Sequence, residues 1–131
     1  MAAKLVSLVL ICIGLLHLYP ALGMLSGERL RGLYGVEISD PNLVILMRHR
    51  AVLFGLLGVF LISAAFNAGW QPAAFAAGFI SMASFVVLAL LQGAYNPLLR
   101  KVLLADIVGL LALLVAVALY LVAGSGRASI D

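Results

Sequence analysis

The residues of this chain that could do chemistry are a few polar side chains set in or beside long apolar stretches. They are two histidines, two arginines, a glutamine, a tyrosine and an aspartate: His17, Arg48, His49, Arg50, Gln92, Tyr95 and Asp106. Arginine and histidine bind anionic or polar headgroups, and the other side chains add neutral or acidic hydrogen-bonding groups. This set predicts a site for a small anionic or amphipathic ligand whose tail lies in the apolar bundle.

Asp106 is the most informative of these residues because the sequence around it is otherwise apolar. An unpaired carboxylate is costly in hydrocarbon, so an acid in a membrane span usually faces a partner or a cavity. Arg100 and Lys101 are six and five positions away, whereas side chains pair along a helix at three or four. The predicted partner is therefore a basic residue of another helix: His17, Arg48, His49 or Arg50. A structural ion pair between helices is the simpler interpretation, and a ligand site is the alternative.

Arg48, His49 and Arg50 cannot all face the bundle, because successive helical residues point about 100° apart. At least one arginine is predicted to reach the headgroups, and another can turn inward. Metal binding by His17, His49 and Asp106 is not predicted, since no H-x-x-E-H or H-E-x-x-H spacing occurs. No motif indicates a cofactor. The single cysteine excludes an intrachain disulfide and is interpreted as a buried packing residue, Cys12.

Four apolar stretches must position these residues: 5–22, 51–68, 73–91 and 102–123. Each approaches or reaches the roughly 20 residues that a helix needs to cross hydrocarbon about 30 Å thick. Charged residues make up 10% of the chain, against about 25% in soluble proteins, which excludes a soluble core. The predicted fold class is all-α, a bundle of four transmembrane helices forming one domain over residues 1–131. The eight basic residues are scattered among loops and do not predict nucleic-acid binding.

Prolines mark where the helices begin. Asp40-Pro41 and Asn96-Pro97 each supply an N-cap acceptor followed by proline, and Gln71-Pro72 marks the third start more weakly. The predicted helices cover approximately 4–22, 41–68, 72–94 and 97–123. Because four spans return the chain to its starting side, the first and third gaps share one membrane face, where the polar residues collect.

The long first gap, residues 23–39, contains a predicted amphipathic segment at 27–34. Leu30, Leu33 and Tyr34 share one side of a helical turn, while the charged residues of the segment can face water. A cap lying on the headgroups is the favoured interpretation, and a moving lid is the alternative.

The distribution of Lys and Arg predicts the orientation in the membrane. The face with the first and third gaps carries six of them, against Lys4 and Arg127 on the other face, so the positive-inside rule places these loops in the cytoplasm. The N-terminal region also resembles a secretory signal peptide, because Lys4 is followed by an apolar run and then by Ala21-Leu22-Gly23. Retention as a first span is favoured, because His17 and Tyr19 suit a membrane helix that approaches a polar site.

Three segments of the sequence resemble a family of small bacterial four-helix membrane proteins whose function is not established. They are the stretch from Pro41-Asn42-Leu43 through Leu46-Met47-Arg48-His49-Arg50 to Gly55, the pair Ala105-Asp106, and Gly-Leu-Leu-His17-Leu. The resemblance covers most of the chain and implies the bacterial cytoplasmic membrane. Some members are labelled phosphopantetheine adenylyltransferase, an enzyme similar to soluble nucleotidyl transferases with a His-x-Gly-His motif. His17 and His49 are followed by Leu-Tyr-Pro and Arg-Ala-Val instead, so that activity is not predicted. The architecture also looks like that of DoxX-type proteins.

Three classes of function remain after these exclusions. The first, and the favoured one, is binding of a small amphipathic, lipid-like or quinone-like ligand, because polar residues of all four helices converge at one depth. The second is a small membrane enzyme that uses His49 or Asp106 for proton transfer. The third is a structural or accessory subunit of a membrane complex. The predicted partners are accordingly the lipid bilayer, such a ligand, and a membrane protein or a second copy of this chain.

Overall fold

The computed structural model describes the backbone of residues 1–128 and the side chains of residues 1–123. The chain is an all-α bundle: α1 (Ala2–Ala21), α2 (Gly27–Tyr34), α3 (Pro41–Ala65), α4 (Gln71–Gln92) and α5 (Pro97–Ala128). Short 3₁₀ turns, Leu22–Met24 and Ala68–Trp70, precede α2 and α4, and the described residues contain no strand. The last three residues of the predicted 1–131 domain lie outside the described part.

The proline-marked helix starts are confirmed by their capping hydrogen bonds. Asp40 Oδ1 accepts from the backbone N–H of Asn42 at 2.8 Å, and Asn96 Oδ1 accepts from that of Leu99 at 2.9 Å. Proline therefore occupies the first position of α3 and of α5, where its missing N–H costs nothing.

Two helix ends come earlier than predicted. Helix α3 stops at Ala65 instead of residue 68, because Asn67 Oδ1 accepts from the backbone N–H of Gly69 and starts the tight second turn. Helix α4 stops at Gln92 instead of residue 94, because Gly93 takes a left-handed conformation with φ of 73°. Such a residue ends a helix, and glycine adopts it without strain.

The four long helices form a ring in the order α1, α3, α4, α5, and the α1–α3 contact is the most extensive. Glycine permits this contact: a Cβ added at Gly58 would lie 2.7 Å from the Gly14 carbonyl oxygen. The two backbones therefore touch directly. Small residues at a crossing point let membrane helices approach closely, so this pair sets the spacing of α1 and α3.

The core of the bundle is narrow. Each long helix contributes at least one large side chain that is essentially inaccessible, among them Leu10, Leu61, Met82 and Leu113. About half of the other large apolar side chains of the helices are exposed. A continuous apolar exterior around a bundle whose backbone bonds are satisfied within helices fits lipid, not water.

Four segments are each long and apolar enough to cross a membrane: Ala2–Met24, Pro41–Ala65, Ala68–Gln92 and Pro97–Ala123. The chain is a multi-pass membrane protein of the four-helix bundle type.

Helix α2 is the amphipathic segment predicted in the first gap. Ser26 caps its start by accepting from the backbone N–H of Arg29, and Gly35, with φ of 63°, ends it. Leu30 and Tyr34 are buried, at 0% and 4% exposure, while the charged residues of α2 are exposed. The helix packs on the turn after α1 and on the starts of α3 and α5, so it covers that end of the bundle.

Candidate functional site

A cavity of about 210 Å³ lies at the end of the bundle that α2 covers. Every helix contributes to its wall, and we call it the polar cavity. Its apolar lining is Leu16, Pro20, Phe54, Phe85, Val102 and Ala105, and its polar lining is His17, Tyr19, Tyr34, Arg50, Lys101 and Asp106.

Arg50 and Asp106 reach the polar cavity at the same depth. Each is nine residues beyond the proline that begins its helix, and both helices start at the same end of the bundle. At 1.5 Å per residue, both lie about 14 Å below the helix starts. The depth of these two charges thus follows from the two capped prolines.

The guanidinium of Arg50 is surrounded by aromatic rings. Its central carbon lies 4.8 Å from the ring centre of Phe54, 5.5 Å from that of Tyr34 and 6.0 Å from that of Phe85. These contacts stabilise a cation through the faces of the rings and leave its N–H groups unused. Within the described part of the chain, no protein acceptor takes a hydrogen bond from this guanidinium, which carries five N–H donors.

Asp106 shares the polar cavity with Arg50, and the two charges interact. They do not form a direct ion pair, and among residues 1–123 the carboxylate receives no hydrogen bond. Every fully inaccessible polar side-chain atom in that range does have a hydrogen-bond partner. The polar atoms of Arg50 and Asp106 are therefore accessible from the cavity. Arg50 and Asp106 therefore do not form the structural ion pair between helices that was the simpler interpretation of the sequence.

His17 is buried, and both of its ring nitrogens are engaged. Nδ1 lies 2.9 Å from the carbonyl oxygen of Ile13, and Nε2 lies 3.1 Å from the hydroxyl of Ser81 on α4. Since a carbonyl only accepts, Nδ1 is the donor, and a neutral imidazole can then accept from the Ser81 hydroxyl. The ring also lies 5.7 Å from that of Phe54. His17 therefore lines the cavity while its Nε2 joins α1 to α4 and its Nδ1 stays bonded within α1.

Tyr34 closes the cavity from the side of α2. Its burial raises the pKa of the phenol above the usual 10, the charge of Arg50 lowers it, and the charge of Asp106 raises it again. The phenol is therefore a neutral donor at physiological pH. Asn96 holds this residue in place, because its Nδ2 donates to the Tyr34 carbonyl oxygen at 2.7 Å and to that of Gly35 at 3.3 Å.

The other predicted site residues lie elsewhere. Arg48 is exposed and its Nε donates to the Met24 carbonyl oxygen at 2.6 Å, which fastens α3 to the turn after α1. Arg48 and His49 line a separate surface pocket, so His49 and Asp106 share no cavity. Gln92 and Tyr95 are exposed at the end of α4 and do not line the polar cavity.

Sequence reasoning missed the aromatic part of this site. Phe54 was detectable, because it is four residues after Arg50 and so lies on the same face of α3. Tyr34 was predicted to pack inward but not to reach Arg50. Phe85 on α4 and the rim residue Lys101 carry no local signal, because their placement depends on how α4 and α5 rotate against α3.

An apolar groove between α1 and α5 adjoins the polar cavity. It has a volume of about 570 Å³ and we call it the α1/α5 groove. Its α1 wall is Leu8, Val9, Cys12, Ile13 and Leu16, and its α5 wall is Leu104, Ala105, Val108, Gly109 and Ala112. Leu16 and Ala105 line both spaces, so the groove and the cavity are neighbours. The prediction that Cys12 is buried was wrong, because this residue is exposed along the groove.

No protein-family model, curated protein or solved structure matches this chain. Its class is therefore defined by its own geometry: a multi-pass four-helix membrane protein with a polar cavity at one end of the bundle.

Proposed function

We propose that this protein binds a small amphipathic molecule whose polar end occupies the polar cavity. The observation that carries the proposal is the guanidinium of Arg50, which is held by three aromatic rings and has no hydrogen-bonded acceptor among the described residues. A cation held in this way is preorganised for an acceptor that comes from outside the chain.

The charges of the cavity favour an anionic or acceptor-rich polar end. Two cationic side chains, Arg50 and Lys101, face one carboxylate, Asp106. A carboxylate, a phosphate or a carbonyl group can accept from the guanidinium, and the Tyr34 hydroxyl offers a further donor. The mostly apolar wall suits the adjoining part of such a molecule.

The proposal places the protein in the bacterial cytoplasmic membrane with α2 and the α4–α5 turn in the cytoplasm. The support is the excess of Lys and Arg at that end of the bundle, five residues besides the cavity residue Arg50 against two at the other end. The polar cavity then opens near the cytoplasmic headgroups, where anionic amphiphiles are available.

Native mass spectrometry of protein released gently from membranes tests the proposal. Wild type is expected to carry a small molecule, and Arg50→Met to retain about tenfold less of it or lower, because a hydrogen bond to a charged group contributes about 1.5–3 kcal/mol. Arg48→Met is the matched control, since Arg48 is two residues away on α3 and does not line the cavity.

Equal occupancy in Arg50→Met and wild type would refute the role of the cavity. A protein partner that remains bound, with no small molecule in any variant, would favour the alternative function of a subunit in a membrane complex.

A further inference from the structure

The α1/α5 groove lies beside the polar cavity, on the outside of the bundle. Leu16 and Ala105 line both spaces, and the lining of the groove runs from there along α1 to Leu8 and along α5 to Ala112. Each wall covers eight residue steps, which corresponds to about 12 Å along the helices. All of its lining side chains are apolar, apart from the thiol of Cys12.

We infer that the ligand is a single-chain anionic amphiphile of the fatty acid class, with its carboxylate at Arg50 and its chain in the α1/α5 groove. The inference rests on the proposed function and specifies its ligand. Charge complementarity supports the head: two cations against one carboxylate leave one positive charge to be balanced. Adjacency supports the tail, since Leu16 and Ala105 line both the cavity that contains Arg50 and the groove.

The position of the groove also indicates how the ligand enters. The groove lies on the outer surface of the membrane span, where Leu8, Leu104 and Val108 are more than half exposed. A chain already dissolved in the bilayer is therefore beside its site and needs no passage through water. Because lipid tails are as apolar as the groove, the tail gains little energy there, and the polar end determines the affinity.

Photolabelling tests this inference with palmitic acid that carries a diazirine in its chain. The protein is reconstituted in phosphatidylcholine vesicles, and labelled peptides are mapped by mass spectrometry. We expect labelling that excess unlabelled palmitic acid competes away, located on residues 8–16 of α1 and 104–112 of α5. Mapping in the wild type requires no variant to fold.

A matched pair of variants then tests the groove itself. Val108 and Val115 are exposed on α5, at 65% and 59%, and are seven residues apart on one face, but only Val108 lines the groove. Val108→Trp is expected to lower the competed labelling of residues 8–16 and 104–112 at least about tenfold, because the larger side chain displaces the acyl chain from the groove, whereas Val115→Trp leaves the labelling of these residues unchanged.

The outcomes separate the two proposals. Competed labelling that depends on Arg50 but maps to other residues, or that Val108→Trp does not change, overturns the groove inference and leaves the proposed function standing. A quinone that competes as well as palmitic acid overturns the anionic class of ligand. Labelling that is neither competed nor reduced by Arg50→Met overturns the inference and the role of Arg50 together.

Discussion

Substitution of Gly58 by alanine should loosen the bundle at its most extensive helix contact. The added Cβ would lie 2.7 Å from the Gly14 carbonyl oxygen and 2.9 Å from Cγ of Leu18. The carbonyl oxygen belongs to the α1 backbone and cannot rotate away. Restoring ordinary contact requires α1 and α3 to separate by about 0.7 Å, and a gap of that size forfeits a quarter to a half of the dispersion energy of each pair of atoms across it.

The expected cost combines two opposed effects. Overpacking in a close-packed region costs about 1–3 kcal/mol, while replacing a helical glycine by alanine returns about 0.5–1 kcal/mol. The difference lies between about 0 and 2.5 kcal/mol, and we expect Gly58→Ala to lower the free energy of unfolding by about 1 kcal/mol, roughly a fivefold change in the folded to unfolded ratio. Unfolding in mixed micelles by increasing fractions of dodecyl sulfate, followed by circular dichroism, measures it.

Two other glycines provide a graded control. A Cβ at Gly55 would meet only the Ala21 Cβ, at 3.2 Å, and one at Gly32 in α2 would meet nothing within 4 Å. Gly55→Ala should therefore have a small effect, and Gly32→Ala should be neutral or stabilising. Equal effects of the three substitutions would refute the reasoning, because the differences in space would then not determine the stability.

Three further predictions concern the polar site and the orientation. Ser81→Ala leaves the buried Nε2 of His17 without its partner and should cost about 1–3 kcal/mol in the same assay, whereas Ser84→Ala, exposed on the same helix, should change it by less than about 0.5 kcal/mol. Ultraviolet titration should show a phenol signal above pH 10 that is lost in Tyr34→Phe. Because the raised pKa of Tyr34 keeps its proton on in the folded state, stability should fall as pH rises past 10, and less so in the variant. In a Cys12→Ala background, cysteines at Arg31 and Lys101 should be protected from an impermeant external thiol reagent and one at Lys4 labelled, and the reverse pattern would invert the orientation.

The bundle was predictable because its determinants are local. The apolar spans are long enough to cross a membrane, and the capped prolines Pro41 and Pro97 set where two helices begin. The apolar Leu30 and Tyr34, with charged neighbours, mark the amphipathic helix α2. The helix ends at Ala65 and Gln92 were less predictable, because they depend on a side-chain turn and on one left-handed glycine.

The site was predictable only in part. Sequence spacing indicates that one of Arg48 and Arg50 can turn inward, and Phe54 lies four residues after Arg50 on the same face of α3. It does not indicate that Phe85 meets that face, since this contact follows from the rotation of α4 in the bundle. The engagement of both nitrogens of His17 likewise depends on Ser81, which is 64 residues away.

The two ends of the Asn96 side chain serve different parts of the molecule. Its oxygen caps α5, and its nitrogen donates to main-chain carbonyl oxygens of Tyr34 and Gly35. Because these acceptors are backbone atoms, the position of α2 over the cavity does not depend on which side chains α2 displays toward water. Substitution of its exposed residues, Glu28, Arg29 and Arg31, can therefore change the charge that α2 presents to the headgroups without moving α2 from its place over the cavity.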